Sequence, residues 1–298
     1  MPELPEVEVV ARGLRNKVVG LTIDKVSATS EKVVGGSLKK FKKFTQGAKI
    51  KSVQRVGKLL IIHLSNKNVI LLHLKLTGQL IYVDRFGKGY KGGHSQKAYD
   101  TKPPSKYTHI TFAFSDKSHL YFNDLRRFGW AKVFRRQDLE ERKQEAGKIL
   151  AGLGPDPMGN EFSLQSFLAN VKRRAKSNIY QVLMDQKVVA GLGNIYVNEL
   201  LWRAKVNPKT KVAKMPKEKI LFIGRGIKPI LEEAISYGGS SANTFVKIDG
   251  SKGKYTDRLA VYQRQKQPCP RKDKGVIARV SIGGRGAFYC PICQKEVK

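Results

Sequence analysis

This 298-residue sequence has little cysteine, few acidic residues beside its basic ones, and no long apolar run. Its three cysteines, Cys269, Cys290 and Cys293, all fall within the last thirty residues. That distribution excludes a disulfide framework spread along the chain and reads more readily as a metal site. Asp and Glu number 24 against 57 Lys and Arg, a net charge of +33. So large an excess points to a polyanionic partner, and nucleic acid fits best because the cations are spread over the whole length instead of one tail or one amphipathic helix. No apolar run is long enough to span a membrane, and the N-terminus has neither the basic head nor the apolar stretch of a signal peptide, so the expected location is the cytoplasm, with no membrane partner. There is no internal repeat.

The length allows two domains and a small appendix. Val7, Val10, Ala11 and Leu14 recur at helical spacing directly after a Pro-Glu opening. The period then changes. Leu59 to Leu64 and Val69 to Leu74 are apolar runs of strand length joined by Ser65-Asn66-Lys67-Asn68, which predicts a hairpin with both strands largely buried. Ile110, Phe112 and Phe114 alternate up to a turn at Ser115-Asp116-Lys117, before Leu120 and Phe122 resume. This pattern predicts a β domain of two packed sheets behind a leading helix. Residues 87–104, rich in Gly, Lys and Ser, read as a mobile basic loop. Gly154, Pro155 and Pro157 break the chain again. Helices are expected at about 164–173, 179–185, 195–203 and 217–235, the last kinked by Pro229, then a loop over 238–255 and a small cysteine-bearing module. The fold class is therefore α+β and multidomain.

Several residues carry chemistry. Removal of Met1 would turn Pro2 into a secondary amine. An α-amino group, with a pKa of about 7.7 to 8.0, is partly unprotonated near neutral pH, whereas Lys needs its surroundings to depress it. Glu3 then lies one peptide bond away, close enough to move protons. The alternative is that Pro2 and Pro5 merely shape a helix entry whose positive end Glu residues favour. Lys58, beside an apolar run, is either functional or a snorkelling surface cation. Arg126-Arg127-Phe128-Gly129 offers two guanidiniums and a ring, suited to holding a phosphate backbone while wedging into a base stack, or else forms a basic β-turn. Gly191-Leu192-Gly193-Asn194 can present successive amides at a helix start, where phosphate binds, although any interhelical turn can contain such a pair. Arg285 sits at the tip of an expected hairpin above Cys290-Pro291-Ile292-Cys293, whose two-residue Cys spacing is characteristic of zinc.

Taken together, these segments resemble formamidopyrimidine-DNA glycosylase. The resemblance is carried by MPELPEVE at 1–8, Gly57-Lys58, HLKLTG at 73–78, DLRRFG at 124–129, the block from Leu183 to Tyr196, and Arg285 through Cys293, in that family's order over nearly the whole chain. Leu4 favours this purine-repair branch over the sister endonuclease VIII family. The resemblance implies an N-terminal catalytic β-sandwich domain with a leading helix (1–135) and a linker (136–157). A helical helix-two-turns-helix domain with a lesion-recognition loop (158–260) and a zinc-finger-like hairpin (261–298) follow. It also implies a monomer that acts on damaged double-stranded DNA, excising 8-oxoguanine and formamidopyrimidines and nicking the strand by β,δ-elimination. Pro2 would form the Schiff base, Glu3 would supply acid-base chemistry, Glu6 would support the site, and Lys58 and Arg285 would join the proton transfers. Lys58, His73, Asn194 and Arg285 would grip phosphates, with Tyr107 and Arg174 as further DNA contacts. Leu76, Arg126 and Phe128 would fill the void left by the extruded nucleotide, Arg126 reading the opposite cytosine.

The chain departs from the family pattern in four places. Leu76 replaces a Met, Tyr107 stands where many relatives have His, and Tyr180 where a Lys is common. In the finger, Lys272 occupies the place of the expected second Cys; either Asp273 completes a zinc site with Cys269, Cys290 and Cys293, or the hairpin folds without metal, held by packing around Phe288 and Tyr289. Two further readings are removal of oxidised pyrimidines in the manner of endonuclease VIII, and a damaged-DNA-binding protein without turnover.

Overall fold

The computed structural model describes residues 1–94, 101–141, 144–241, 245–247 and 249–296. Residues 95–100 of the expected basic loop lie outside that set. The chain divides into two compact units, one formed by Met1–Ala151 with Ile235–Thr256, the other by Gly152–Ala234 with Asp257–Lys298.

The first unit opens with α1 (Leu4–Val18), entered through Pro5 and with Glu6 in its first turn. β1 (Ile23–Ala28), α2 (Glu31–Val34) and α3 (Leu38–Thr45) follow, then β2 (Ile50–Val56), β3 (Leu59–Leu64), β4 (Asn68–His73) and β5 (Gly78–Val83). The unit continues with β6 (Gly89–His94), β7 (Thr108–Phe114), β8 (His119–Asp124), β9 (Trp130–Arg135), α4 (Arg136–Glu140) and α5 (Gln144–Ala151). The strands form a four-stranded antiparallel sheet ordered β2-β3-β4-β9 and, among the described residues, a six-stranded sheet in which β1, β7, β8, β5 and β6 are neighbours in that order. Leu60, Ile62, Ile70 and Leu72 meet Leu80, Ile110, Phe112 and Phe122 in one core, joined by Val7, Val10 and Leu14 of α1. The alternate residues Leu59, Ile61, Val69 and Leu71 form a second cluster under Leu139 and Ala146. That two-sided burial is why β3 and β4 read as continuous apolar runs instead of alternating ones.

Three expectations change here. The stretch expected as a linker over 136–157 contains α4 and α5, which cover the outer face of the four-stranded sheet. Its Leu139 and Ala146 supply the apolar stripe that this face requires, a signal hidden by the many charges around them. The loop expected from residue 87 contains β6, paired with β5 from Gln79↔Gly93 to Val83↔Gly89. Its glycines suit close pairing: a Cβ on Gly93, at φ +116°, would lie 2.7 Å from the Gly78 carbonyl oxygen. Residues 235–256, read above as part of the helical domain, pack with the first unit, where β10 (Phe245–Val246) extends the six-stranded sheet by pairing with Gly93 and His94.

The second unit holds α6 (Leu164–Lys172), α7 (Ile179–Met184), α8 (Asn194–Arg203) and most of α9 (Lys217–Ser236), then the hairpin of β11 (Ala278–Ile282) and β12 (Arg285–Tyr289). Ser163 and Asn178 cap α6 and α7 with their side-chain oxygens. Gly224 lets α9 approach α6, since a Cβ there would come within 2.8 Å of the Phe167 ring. Among the described residues, no helix is long and apolar enough to cross a membrane.

Candidate active site and nucleic-acid interface

In the first unit, Pro2 is buried and Glu3 and Glu6 are 3% and 2% exposed. Glu3 is the N-cap of α1. Its backbone N–H donates to Glu6 Oε2 at 2.8 Å, and the Ser240 N–H donates to Glu6 Oε1, also at 2.8 Å. Both oxygens of one buried carboxylate therefore fix the backbone next to Pro2 and tie it to the 235–256 segment. Gly239 gives that segment room, because at φ +80° a Cβ would stand 3.1 Å from Glu6 Oε1. The sequence shows Glu6 but not Ser240, which lies 234 residues away.

Lys58 follows Gly57, whose φ of +56° turns β2 into β3. It is 6% exposed, which removes the snorkelling surface cation as an account of it. His73 ends β4 and is half-buried against Trp130. Its Nδ1 accepts the Lys75 N–H at 3.0 Å, so the proton sits on Nε2. Burial first, then the charges of Lys75 and Lys58, push the imidazole pKa down to about 3. His73 is thus a neutral N–H donor at physiological pH, suited to a phosphate oxygen beside a charged lysine.

Leu76, Leu125 and Phe128 are 36%, 41% and 51% exposed, and the Arg126 guanidinium lies 4.8 Å from the centre of the Phe128 ring. These solvent-facing groups stand on a rigid base. Asp124 is fully buried, and its carboxylate accepts from the Thr77 hydroxyl, from Arg126 N at 3.2 Å and from Gly129 N at 2.6 Å. The Asp124 N–H donates to the Tyr107 carbonyl at 3.0 Å, and His109 Nε2 is 2.8 Å from the Asp124 carbonyl oxygen. Gly129 is required, since a Cβ would stand 2.5 Å from the Phe122 ring.

In the second unit, the Asn194 side-chain oxygen accepts from the Tyr180 hydroxyl and from Asn198 Nδ2, the latter at 3.0 Å. With the oxygen so used, the amide NH2 is the end that can donate to a ligand. Asn198 Oδ1 accepts Phe288 N at 2.6 Å, and the Tyr180 hydroxyl is 3.4 Å from the Gly286 carbonyl oxygen. Asn194 and the Arg285 hairpin are therefore bound to the same two side chains. Arg285 itself is exposed beside Gly283 and Gly284, at φ +56° and +74°. Gln186 builds the preceding turn by accepting Gly191 N at 3.0 Å and donating to the Leu192 carbonyl at 2.8 Å. Arg174 pairs with Asp185 at 3.1 Å. Glu199, 2% exposed, accepts the backbone N–H groups of Ala260, Val261 and Tyr262. Burial raises its pKa, although the three amides pull the other way.

Cys269, Asp273, Cys290 and Cys293 bring one donor atom each within 4.8 Å of the others, a group that can hold one metal ion. The Cys290 sulfur lies 3.4 and 3.6 Å from the two Asp273 oxygens. Tetrahedral bonds of about 2.3 Å to sulfur and about 2.0 Å to oxygen give an edge of roughly 3.5 Å, so the donor set fits zinc. Lys272 has a left-handed backbone at φ +55°, and Asp273 Oδ1 also accepts Gly275 N at 2.9 Å. Arg271 donates to the Cys293 sulfur at 3.2 Å and stacks 3.9 Å from the Trp202 ring centre, a contact with no mark in the sequence.

Comparison with known proteins places these features in a family. The model of the formamidopyrimidine-DNA glycosylase N-terminal domain matches residues 1–131, and that of the formamidopyrimidine-DNA glycosylase H2TH domain matches residues 153–246. A formamidopyrimidine-DNA glycosylase of Lactobacillus delbrueckii subsp. bulgaricus is 37% identical over 296 residues, covering 99% of this chain and 100% of the relative. The Lactococcus lactis Fpg in complex with abasic-site DNA superposes with a TM-score of 0.84 at 31% identity, over 99% of this chain and 100% of that one. The same protein with DNA containing an oxidised pyrimidine gives 0.83 at 31% identity, with the same coverage. Two domain models matched in order, with full-length likeness in sequence and in fold, establish that the chain belongs to the formamidopyrimidine-DNA glycosylase family.

Proposed function

We propose that this protein is a base-excision repair enzyme that removes oxidised purines, 8-oxoguanine and formamidopyrimidines, from duplex DNA and then cuts the strand, acting as a monomer. Once Met1 is removed, the Pro2 nitrogen attacks C1′ of the extruded nucleotide and the base departs with a proton, Glu3 serving as the acid-base group. Pro2 gives up its N–H proton, and protonation of O4′ breaks the C1′–O4′ bond, opening the sugar to an iminium whose C2′ protons are acidified. Loss of one C2′ proton expels the 3′ phosphate, and a second elimination expels the 5′ phosphate, with Lys58 and Arg285 moving protons. His73, Asn194, Tyr107 and Arg174 contact the DNA, and Leu76, Arg126 and Phe128 occupy the vacated stack. The observation that carries this reading is the buried Glu6 carboxylate that holds the backbone of Glu3, and so the start of the chain, in one position. Zinc held by Cys269, Asp273, Cys290 and Cys293 would have a structural role, closing the module from which Arg285 projects.

Borohydride reduction tests the proposal. A covalent adduct is expected on an 8-oxoguanine:cytosine duplex, greatly reduced by Pro2→Gly or by retention of Met1. Undiminished trapping with Met1 present would refute the Pro2 assignment and point to a lysine nucleophile. A second reading, excision of oxidised pyrimidines, is favoured by the likeness to the Lactococcus lactis protein bound to such DNA. Excision rates on matched duplexes carrying each lesion class separate the two. Lesion binding without any turnover would instead support a DNA-binding protein.

A further inference from the structure

The basic segment after β5 has no part in the chemistry proposed above. Its described portion forms a rigid hairpin tip. Asp84 Oδ1 accepts Phe86 N at 3.0 Å and Lys88 N at 2.9 Å, while backbone bonds join Asp84 N to the Lys88 carbonyl and Gly87 N to the Asp84 carbonyl. This fixed turn presents Phe86 at 80% exposure, the most exposed among the large apolar side chains of the described residues. Burial of so large an apolar ring is favourable, so a turn that holds it in solvent marks a candidate contact surface. Cations adjoin it in sequence and along the hairpin. The Arg85 guanidinium lies 4.7 Å from the Phe86 ring centre, and Lys88 is exposed beside it. Lys17 stands 3.6 Å from the ring centre of Tyr90, the next aromatic along the hairpin, and Lys91 follows. The nearby carboxylates are Asp84, engaged by the turn, and Asp116, whose pKa burial raises but hydrogen bonds donated by Ser118, with the Arg85 charge, lower to a net value below the usual one.

This patch is separate from the reactive end of the same unit by two measures. Lys17 closes α1, whose other end is Glu3, about 20 Å away at 1.5 Å per residue. The tip also follows Val83 at the end of β5, roughly 17 Å along the strand from Gly78, which adjoins Leu76 and Thr77. A DNA duplex hides its base faces, so an exposed ring flanked by phosphate-binding cations is matched to unpaired bases, whose faces are open. We propose that the β5–β6 hairpin is a second nucleic-acid site that binds single-stranded DNA by stacking a base on Phe86 and pairing phosphates with Arg85, Lys88 and Lys91, independently of the lesion-binding surface.

The test uses the full-length protein saturated with unlabelled lesion duplex and titrated with a fluorescent oligothymidylate, read by anisotropy. Binding should persist under saturation. Phe86→Ala should weaken it about 5- to 150-fold, the range for loss of one stacked base. Lys88→Glu with Lys91→Glu should weaken it and flatten the salt dependence by about 0.7 in log K against log salt per lost contact. Phe86→Trp should retain binding and report the stacked base through quenched indole fluorescence. Excision of 8-oxoguanine should be unchanged in all three variants. Complete displacement of the oligothymidylate by lesion duplex would overturn the proposal. So would equal affinity of Phe86→Ala, or displacement by polyglutamate as effective as by unlabelled oligothymidylate, which would mean a surface that selects charge alone.

Discussion

Replacing Glu6 with Gln tests whether one carboxylate sets the geometry of the chain start. The native carboxylate offers two acceptors to two backbone donors, Glu3 N and Ser240 N, each at 2.8 Å. A glutamine keeps one acceptor and turns an NH2 toward the other N–H. Loss of one charge-assisted bond costs about 1.5–3 kcal/mol, and leaving a buried N–H unsatisfied belongs to the same range. The whole effect on stability is then ~2–4 kcal/mol, a lowering of several degrees in Tm for a chain of this size. The effect on catalysis should be larger in proportion, because a shift of about 1 Å in a reacting group can cost about 100-fold in rate. Single-turnover excision should therefore fall at least tenfold (~1.4 kcal/mol) while affinity for lesion duplex stays near wild type. Gly239→Ala presses on the same carboxylate from the opposite side and should reproduce the kinetic defect without removing any hydrogen-bonding group. Single-turnover rates and Tm values for both variants within error of wild type would refute the reasoning.

Three further expectations follow from the site. Because His73 has a folded pKa of about 3, below its ordinary value of 6.5, the unfolded chain takes up a proton that the folded chain refuses; stability should decline as pH falls from about 6.5 toward 3. His73→Gln should flatten that decline in urea unfolding measured between pH 4 and 7, and an unchanged slope would count against the assignment. Asp124→Asn, which substitutes a donor for one of the oxygens facing Thr77, Arg126 N and Gly129 N, should cost ~2–4 kcal/mol in thermal stability and reduce discrimination for cytosine opposite the lesion, measured as the ratio of excision rates on different pairs. Asp273→Ala should lower zinc content in elemental analysis and speed its release to a chromogenic chelator, while Asp273→Cys should retain metal; equal occupancy in wild type and Asp273→Ala would remove the carboxylate from the site.

The sequence was most legible where one element's pattern is self-contained. The alternation through Ile110, Phe112 and Phe114 and the apolar runs of β3 and β4 specify strands because burial on one or both faces is written directly into their period. Candidate residues were found through motifs, but the groups that hold them were not. The buried acceptors of Asp124 and Asn198 organise the Arg126 loop and the Arg285 hairpin, and no local pattern in the sequence marks them. Tyr180 stands where a Lys is common in the family, and its hydroxyl donates to the Asn194 side-chain oxygen. The helices over 136–151 were missed because their apolar residues are sparse and make sense only against the outer face of a sheet. Tertiary pairing, which no local period encodes, accounts for these differences.

The bond between Glu6 and Ser240 also sets an order of events during synthesis. Glu6 leaves the ribosome long before Ser240 exists, and at about 5–20 residues per second the interval is on the order of 10–50 seconds. Throughout it, the start of α1 lacks the partner that later fixes its capping carboxylate. A processing peptidase needs an extended, accessible N-terminus, whereas the finished fold buries Pro2 and half-buries Met1. Removal of Met1, which the proposed Pro2 chemistry requires, would therefore belong to the nascent chain. On the proposed Pro2 chemistry, expression that outpaces the peptidase would yield a folded population with a permanently acylated Pro2 nitrogen, and the active fraction of a preparation would be decided during synthesis.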